Sequence, residues 1–164
     1  MPPRILISAC LLGHKVRYDG GALPVQDAHL QAWQRRGWIV PLCPEVAGGF
    51  ATPRPPAEIQ PDRTAEQVLT GQARILEIGG DDVTAGFLRG AQIALDLAQA
   101  QACQFALLAD GSPSCGSSYI YSGHHDGMRR PGMGVVAAHL RAAGIQVFAP
   151  SQIAELAVRL GSAC

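Results

Sequence analysis

The feature that most constrains this chain is a set of short apolar runs that do not alternate with polar residues. Arg4-Ile5-Leu6-Ile7-Ser8-Ala9, Trp38-Ile39-Val40-Pro41-Leu42, Gln104-Phe105-Ala106-Leu107-Leu108-Ala109 and Ile145 to Phe148 are each too short for a helix. Runs of that length, apolar throughout, belong to strands buried on both faces. Between them lie helical patterns. Asp27 can cap a helix through Leu30, Ala32 and Trp33, and Gly37 stands where a left-handed stop belongs. Asp82 begins the clearest helix, with Val83, Phe87, Leu88, Ala91, Leu95 and Ala98 on one face. Val135 to Ala143 reads as a helix ended by Gly144, and Gln152 to Leu160 as a closing one. Strand and helix in alternation predict a single doubly wound, Rossmann-like α/β domain over residues 1–164. The expected parallel sheet has about four strands, in the order 2-1-3-4.

The middle of the chain departs from this rhythm. Gly48 to Pro61 carries Pro53, Pro55, Pro56 and Pro61 and is expected to be a rigid, irregular loop. Val68 to Ile78 has Gly71 between two β-prone pieces and reads as a small hairpin insertion. Internal repeats and low-complexity tracts are absent.

Composition narrows the function. Hydrophobic residues make up 48% and charged residues 16%, which excludes a disordered chain. Thirteen basic residues balance thirteen acidic ones, so neither a nucleic-acid groove nor an anionic membrane is the expected partner. Apolar stretches fall short of a membrane span, and the start lacks a charged leader and a cleavage site. A cytoplasmic setting is therefore expected, where cysteines serve as metal or catalytic thiols rather than disulfides.

Three of the five cysteines follow strands. Cys10 comes after the first, Cys43 after the second, and Cys115 in the loop after the third. Ligands in open parallel sheets bind outside the carboxyl ends of strands, where strand order reverses. Order 2-1-3 makes those ends neighbours, so the thiols would share a rim about 10 Å wide at about 4.8 Å per strand. Cys103 precedes the third strand, at the opposite end, and Cys164 is the last residue. A single cysteine is more often a small core residue than a ligand, but three such placements together favour a metal. A structural zinc site usually has a close cysteine pair, and the zinc-deaminase pattern is missing. Iron–sulfur clusters normally use four thiolates, so three would leave one iron open for substrate.

Several blocks resemble the DUF523 family: Ser8-Ala9-Cys10-Leu11-Leu12-Gly13 with Val16-Arg17-Tyr18-Asp19-Gly20, then Cys43-Pro44-Glu45-Val46 with Pro53-Arg54-Pro55-Pro56-Ala57-Glu58-Ile59. Ser112-Pro113-Ser114-Cys115-Gly116 with Tyr119-Ile120-Tyr121 and Gly132-Met133-Gly134-Val135 completes the similarity over nearly the whole chain. That family includes thiouracil desulfidases. The resemblance implies a [4Fe–4S] cluster on Cys10, Cys43 and Cys115, whose free iron takes the substrate sulfur and leaves uracil and sulfide. Where many members carry Lys after the third strand, this chain has Ala109-Asp110-Gly111, which marks Asp110 as a residue on the substrate side.

Desulfuration by water needs a base, and Glu45, two residues from a ligand, is the candidate; a carboxylate bonded to nearby backbone N–H groups is the other reading, and the resemblance favours the base. Ser112 is placed in the site as a second catalytic residue and Ser8 and Ser114 as substrate contacts; the Ser112 and Ser114 hydroxyls could bond the heterocycle's polar edge or a cluster sulfide, or simply serve the turn around Pro113. Arg17, Asp19 and Arg54 stand on rim loops, where they could close over substrate or simply pair with each other. His124-His125-Asp126, between Gly123 and Gly127, reads as a solvated loop tip. Two rivals share the thiols: a cluster-binding module that passes on sulfide or iron without turnover, and a zinc-dependent hydrolase. The expected partner is a small thiolated molecule, with the oligomeric state open.

Overall fold

The computed structural model describes residues 2–163, and side chains through Gly161, so Cys164 lies outside the described residues. In chain order the elements are β1 (Ile5–Ser8), α1 (Ala28–Arg35), β2 (Ile39–Leu42), α2 (Pro44–Ala47), β3 (Ala57–Ile59), α3 (Ala65–Leu69), β4 (Ile75–Glu77) and α4 (Thr84–Ala100). There follow β5 (Phe105–Leu107), β6 (Tyr119–Tyr121), β7 (Arg129–Pro131), α5 (Val135–Ala142), β8 (Gln146–Phe148) and α6 (Ile153–Ala163). The main sheet is parallel, in the order β2-β1-β5-β8. This is the expected 2-1-3-4 arrangement, counted over the sheet strands alone.

Side-chain alternation divides the sheet's apolar residues between two cores. Leu6, Val40, Ala106 and Val147 face one layer, with Phe87, Ala91, Ala94 and Ala98 of α4 and Val135 to Ala138 and Leu140 of α5. Ile5, Ile7, Phe105, Leu107 and Phe148 face the other, with Leu30 and Trp33 of α1 and Ile153, Leu156 and Leu160 of α6. The central strand β1 is buried at every position, and each Ile or Leu so placed contributes about 1.5–3 kcal/mol relative to exposure. Both faces being covered explains why these strands read as unbroken apolar runs.

Two small hairpins sit outside the sheet. The insertion is present but built differently from the expected Val68–Ile78 hairpin. Thr64 and Gln67 form a capping box, which starts α3 where the first β-prone piece was read. The second piece is β4, which pairs antiparallel with β3 from within the proline-rich segment. The other hairpin, β6–β7, carries Ser122 to Met128 at its tip. The long helix begins two residues after its expected start, with Asp82 Oδ1 accepting from the Thr84 amide at 3.0 Å and hydroxyl at 2.6 Å.

Candidate metal centre

The carboxyl ends of β2, β1 and β5 lie side by side, and each hands the chain to a cysteine-bearing segment. After β1 the chain turns into a 3-10 turn, Ala9–Leu12, which holds Cys10. After β2, Cys43 occupies the N-cap position of α2, with Pro44 at the first helical position. After β5, a loop returns through Pro113 to Cys115 and Gly116.

That third loop is held by a helix end. The first amides of a helix lack intrahelical acceptors. Here Val135 N donates to Pro113 O at 2.8 Å and Val136 N to Ser114 O at 2.9 Å, while Gly134 N donates to Gly116 O at 2.7 Å. Gly134 permits the contact, because a Cβ there would stand 2.4 Å from Ser114 O. Within the loop, Ser112 Oγ accepts from Ser114 N at 3.1 Å and Cys115 N at 2.7 Å. Asp110 braces the same loop: its Oδ1 accepts from the amides of Ser117, Ser118 and Tyr119, and its Oδ2 from the Ser118 hydroxyl. Burial raises the Asp110 pKa, but these donors outweigh it and hold the carboxyl below its ordinary value.

Cys10, Cys43 and Cys115 all line one cavity of about 520 Å³. Cys10 and Cys115 are buried and Cys43 is half-buried; all three are free thiols. Burial, then the nearby Cys43, pushes the Cys10 thiol up to about 11. Cys115 rises further, through burial first and then Glu45, Cys10 and Cys43, against a lowering hydrogen bond from Ser8. Thiols close enough to oppose one another's ionisation call for a cation if all are to be thiolates. Among the described residues, no three His, Cys, Asp or Glu side chains are gathered to hold a single metal ion. Three sulfurs lining a common cavity, with no fourth cysteine beside them among the described residues, fit the thiolate donor set of an iron–sulfur cluster. Cys103, at the amino end of β5, is buried in the core and takes no part.

Glu45, in the first turn of α2, also lines the cavity with its side chain 16% exposed. Burial raises its pKa, and Arg54, 3.4 Å away at Nε, opposes the rise. Arg54 is itself buried and fixed by Ala51 O, Thr52 Oγ1 and Val16 O. Val16 O also accepts from the Cys43 thiol at 3.8 Å, so Glu45, Arg54 and Cys43 share one local frame.

The other expected site residues divide. Ser8, Asp110 and Ser112 line the cavity, whereas Ser114 is 1% exposed and does not. The Ser8 hydroxyl accepts from Ala109 N at 2.9 Å, strapping the end of β1 to β5. Arg17 reaches the wall, while Asp19 pairs with it at 3.5 Å from outside the cavity.

One part of the wall went unread in the sequence. Glu58 of β3, Tyr119 and Tyr121 of β6 and Arg129 of β7 line the cavity, with Arg129 stacked 4.2 Å above Tyr119. His125 lines it as well, which corrects the solvated reading of His124-His125-Asp126. His124 and Asp126 are exposed, but the His125 side chain is only 17% exposed. The tip is a run of bends with His125 at φ 55°, so no strand or helix period in the sequence marks which histidine turns inward.

A family model described as 2-thiouracil desulfurase matches residues 5–152, most of the chain. The chain belongs to the 2-thiouracil desulfurase family. Like this family member, the uncharacterized protein YbbK of Bacillus subtilis (strain 168) spans the same unit: the two are 38% identical over 152 residues, covering 93% of this chain and 99% of YbbK. A solved structure of the [4Fe–4S]-dependent thiouracil desulfidase TudS is 47% identical to this 2-thiouracil desulfurase family chain. The two superpose with a TM-score of 0.88 over 97% of this chain and 98% of that one.

Proposed function

We propose that this chain is a desulfidase that removes sulfur from a small thiolated heterocycle such as 2-thiouracil, giving uracil and sulfide. Cys10, Cys43 and Cys115 would hold a [4Fe–4S] cluster, the cofactor named for the TudS structure. When bound, that cluster supplies an open, thiophilic, Lewis-acidic iron. The observation that carries this reading is the convergence of those thiols and Glu45 on one cavity at neighbouring strand ends. The overall reaction, thiouracil and water to uracil and hydrogen sulfide, balances without net redox change.

The residues of the chain supply positioning and proton transfer. Glu45 takes a proton from the attacking water at a carboxylate oxygen, held in place by Arg54 Nε. Ser112 Oγ has its lone pairs engaged by two amides, so its own hydrogen is the group it can offer to the heterocycle's polar edge. Ser8 and Asp110 line the cavity and also shape it, the first through the Ala109 amide and the second through the Cys115 loop.

The test is anaerobic. Purified protein should contain about four irons and four sulfides per chain and release sulfide from 2-thiouracil. Cys10, Cys43 or Cys115 to Ser should each lose the iron, while Glu45→Gln should keep it and lose about 100-fold in turnover. Iron without sulfide release would leave a cluster-carrying module, and a colourless zinc protein would leave a hydrolase on the same thiols.

A further inference from the structure

We infer that His125, backed by Glu58, is the residue that reads a ring N–H of the substrate from the hairpin side of the cavity. The inference deepens the desulfidase reading and rests on it for the identity of the ring. Glu58 is 11% exposed, and its Oε1 accepts from Gly123 N at 2.8 Å and His125 N at 3.3 Å. Those two bonds fix the hairpin tip through its backbone, whatever side chain stands at position 125. The imidazole is therefore not needed to hold the tip.

Its own hydrogen bonding is unfinished. His125 Nδ1 is buried without a hydrogen-bond partner, with Glu58 Oε2 at 3.5 Å, just beyond the usual N–H···O range. Nε2 has no protein partner among the described residues either. The residue sits at φ 55°, in the left-handed region that few non-glycine residues adopt. Strain of this kind gathers at functional positions. Meanwhile the neighbouring polar groups of the cavity are engaged: Arg54 with Glu45 and three backbone or hydroxyl oxygens, Asp110 with loop donors. The Ser112 hydroxyl and the Tyr119, Tyr121 and Arg129 side chains of the wall can donate, whereas His125 brings a ring nitrogen that can accept.

Glu58 decides which nitrogen that is. A carboxylate beside Nδ1 places the imidazole proton there, which leaves a lone pair on Nε2. A lone pair suits the N–H of a cyclic thioamide, and equally the N–H of the oxygen product. The ring would then be held at two places, its sulfur toward the thiols and its N–H toward His125.

The experiment compares cluster-loaded wild type, His125→Phe and His125→Gln in two measurements. Sulfide release from 2-thiouracil gives kcat and KM, and calorimetry gives the Kd of uracil, which needs no sulfur chemistry. His125→Phe should raise both KM and the uracil Kd about tenfold, the worth of one hydrogen bond, with kcat within about threefold. His125→Gln, which keeps an acceptor at the side-chain end, should restore most of both, with iron content equal in all three. Unchanged uracil affinity in His125→Phe, or no uracil binding by wild type, overturns the inference. Absent sulfide release with uracil binding intact overturns the desulfidase reading instead, so the two failures are told apart.

Discussion

Arg54 is 6% exposed on its side chain, yet its guanidinium reaches Glu45, Ala51 O, Thr52 Oγ1 and Val16 O. Removing it would leave a buried carboxylate without its cation, a larger cost than losing the pair as a whole. Arg54→Met should lower unfolding free energy by about 2–4 kcal/mol in urea titrations. Adding Glu45→Gln to that background should recover about 1–2 kcal/mol, because the stranded charge is gone. Additive effects would mean the pair is not coupled. Asp110 tests a different balance. Its folded pKa lies below the ordinary value, so its contribution is present above the unfolded pKa of about 4 and fades as pH falls through the folded one. Asp110→Asn should cost about 1–2 kcal/mol at pH 7, and the gap from wild type should narrow as pH falls below the unfolded pKa of about 4 and through the lower folded one. A gap that persisted at low pH would show the amide bonds, not the charge, to be what matters. These residues also show how far the sequence could be read. Cys10, Cys43, Cys115 and Glu45 were legible because strand ends fix where a following residue goes. Ser114 was not, because facing the cavity or lying beneath α5 depends on a loop conformation that Gly134 and the α5 amides impose from elsewhere in the chain.

At the scale of elements, α2 follows Cys43 at the cavity wall and rests on α4 through glycines. A Cβ at Gly90 would stand 2.3 Å from Pro44 O, and one at Gly48 would stand 2.3 Å from Gly86 O. Gly to Ala within a helix ordinarily gains up to about 1 kcal/mol. Overpacking costs about 1–3 kcal/mol, and here it should win because the obstructing atom is backbone. Gly90→Ala should therefore destabilise the protein, and by pushing on Pro44 it should also reduce the iron retained beside Cys43. Gly161→Ala, in α6 with nothing within 4 Å of the added Cβ, should stabilise by a few tenths to about 1 kcal/mol. Thermal melts of the two variants should move in opposite directions, and a common sign would refute the packing argument. The same contrast explains which elements could be predicted. The sheet strands and α1, α4, α5 and α6 announce themselves through periods set by their own burial. The strands β3, β6 and β7 do not: β3 and β6 bury one residue each, Ile59 and Ile120, and β7 buries none, so no apolar run marks them in the sequence.

Over the whole molecule, the cavity has two kinds of wall. One is the rim of a sheet with a core on each face. The other is a pair of short hairpins, joined where Arg130 Nη1 donates to Arg63 O at 2.7 Å and Nη2 to Gln60 O at 3.0 Å. Glu58 adds the bonds to Gly123 and His125 described above. Regions with few buried apolar contacts open locally without global unfolding, and binding surfaces are often drawn from them. Arg130→Ala removes the guanidinium but leaves the rim untouched. Amides of residues 119–130 should then exchange with deuterium about tenfold faster, the equivalent of about 1.4 kcal/mol, while those of β1 and β5 keep their rates. Because the thiols belong to the other wall, iron content should stay the same and the KM for 2-thiouracil should rise. Faster exchange throughout the chain would show that the hairpins and the sheet unfold as one unit. Unchanged exchange in residues 119–130 would show that Arg130 does not hold the hairpin wall in place.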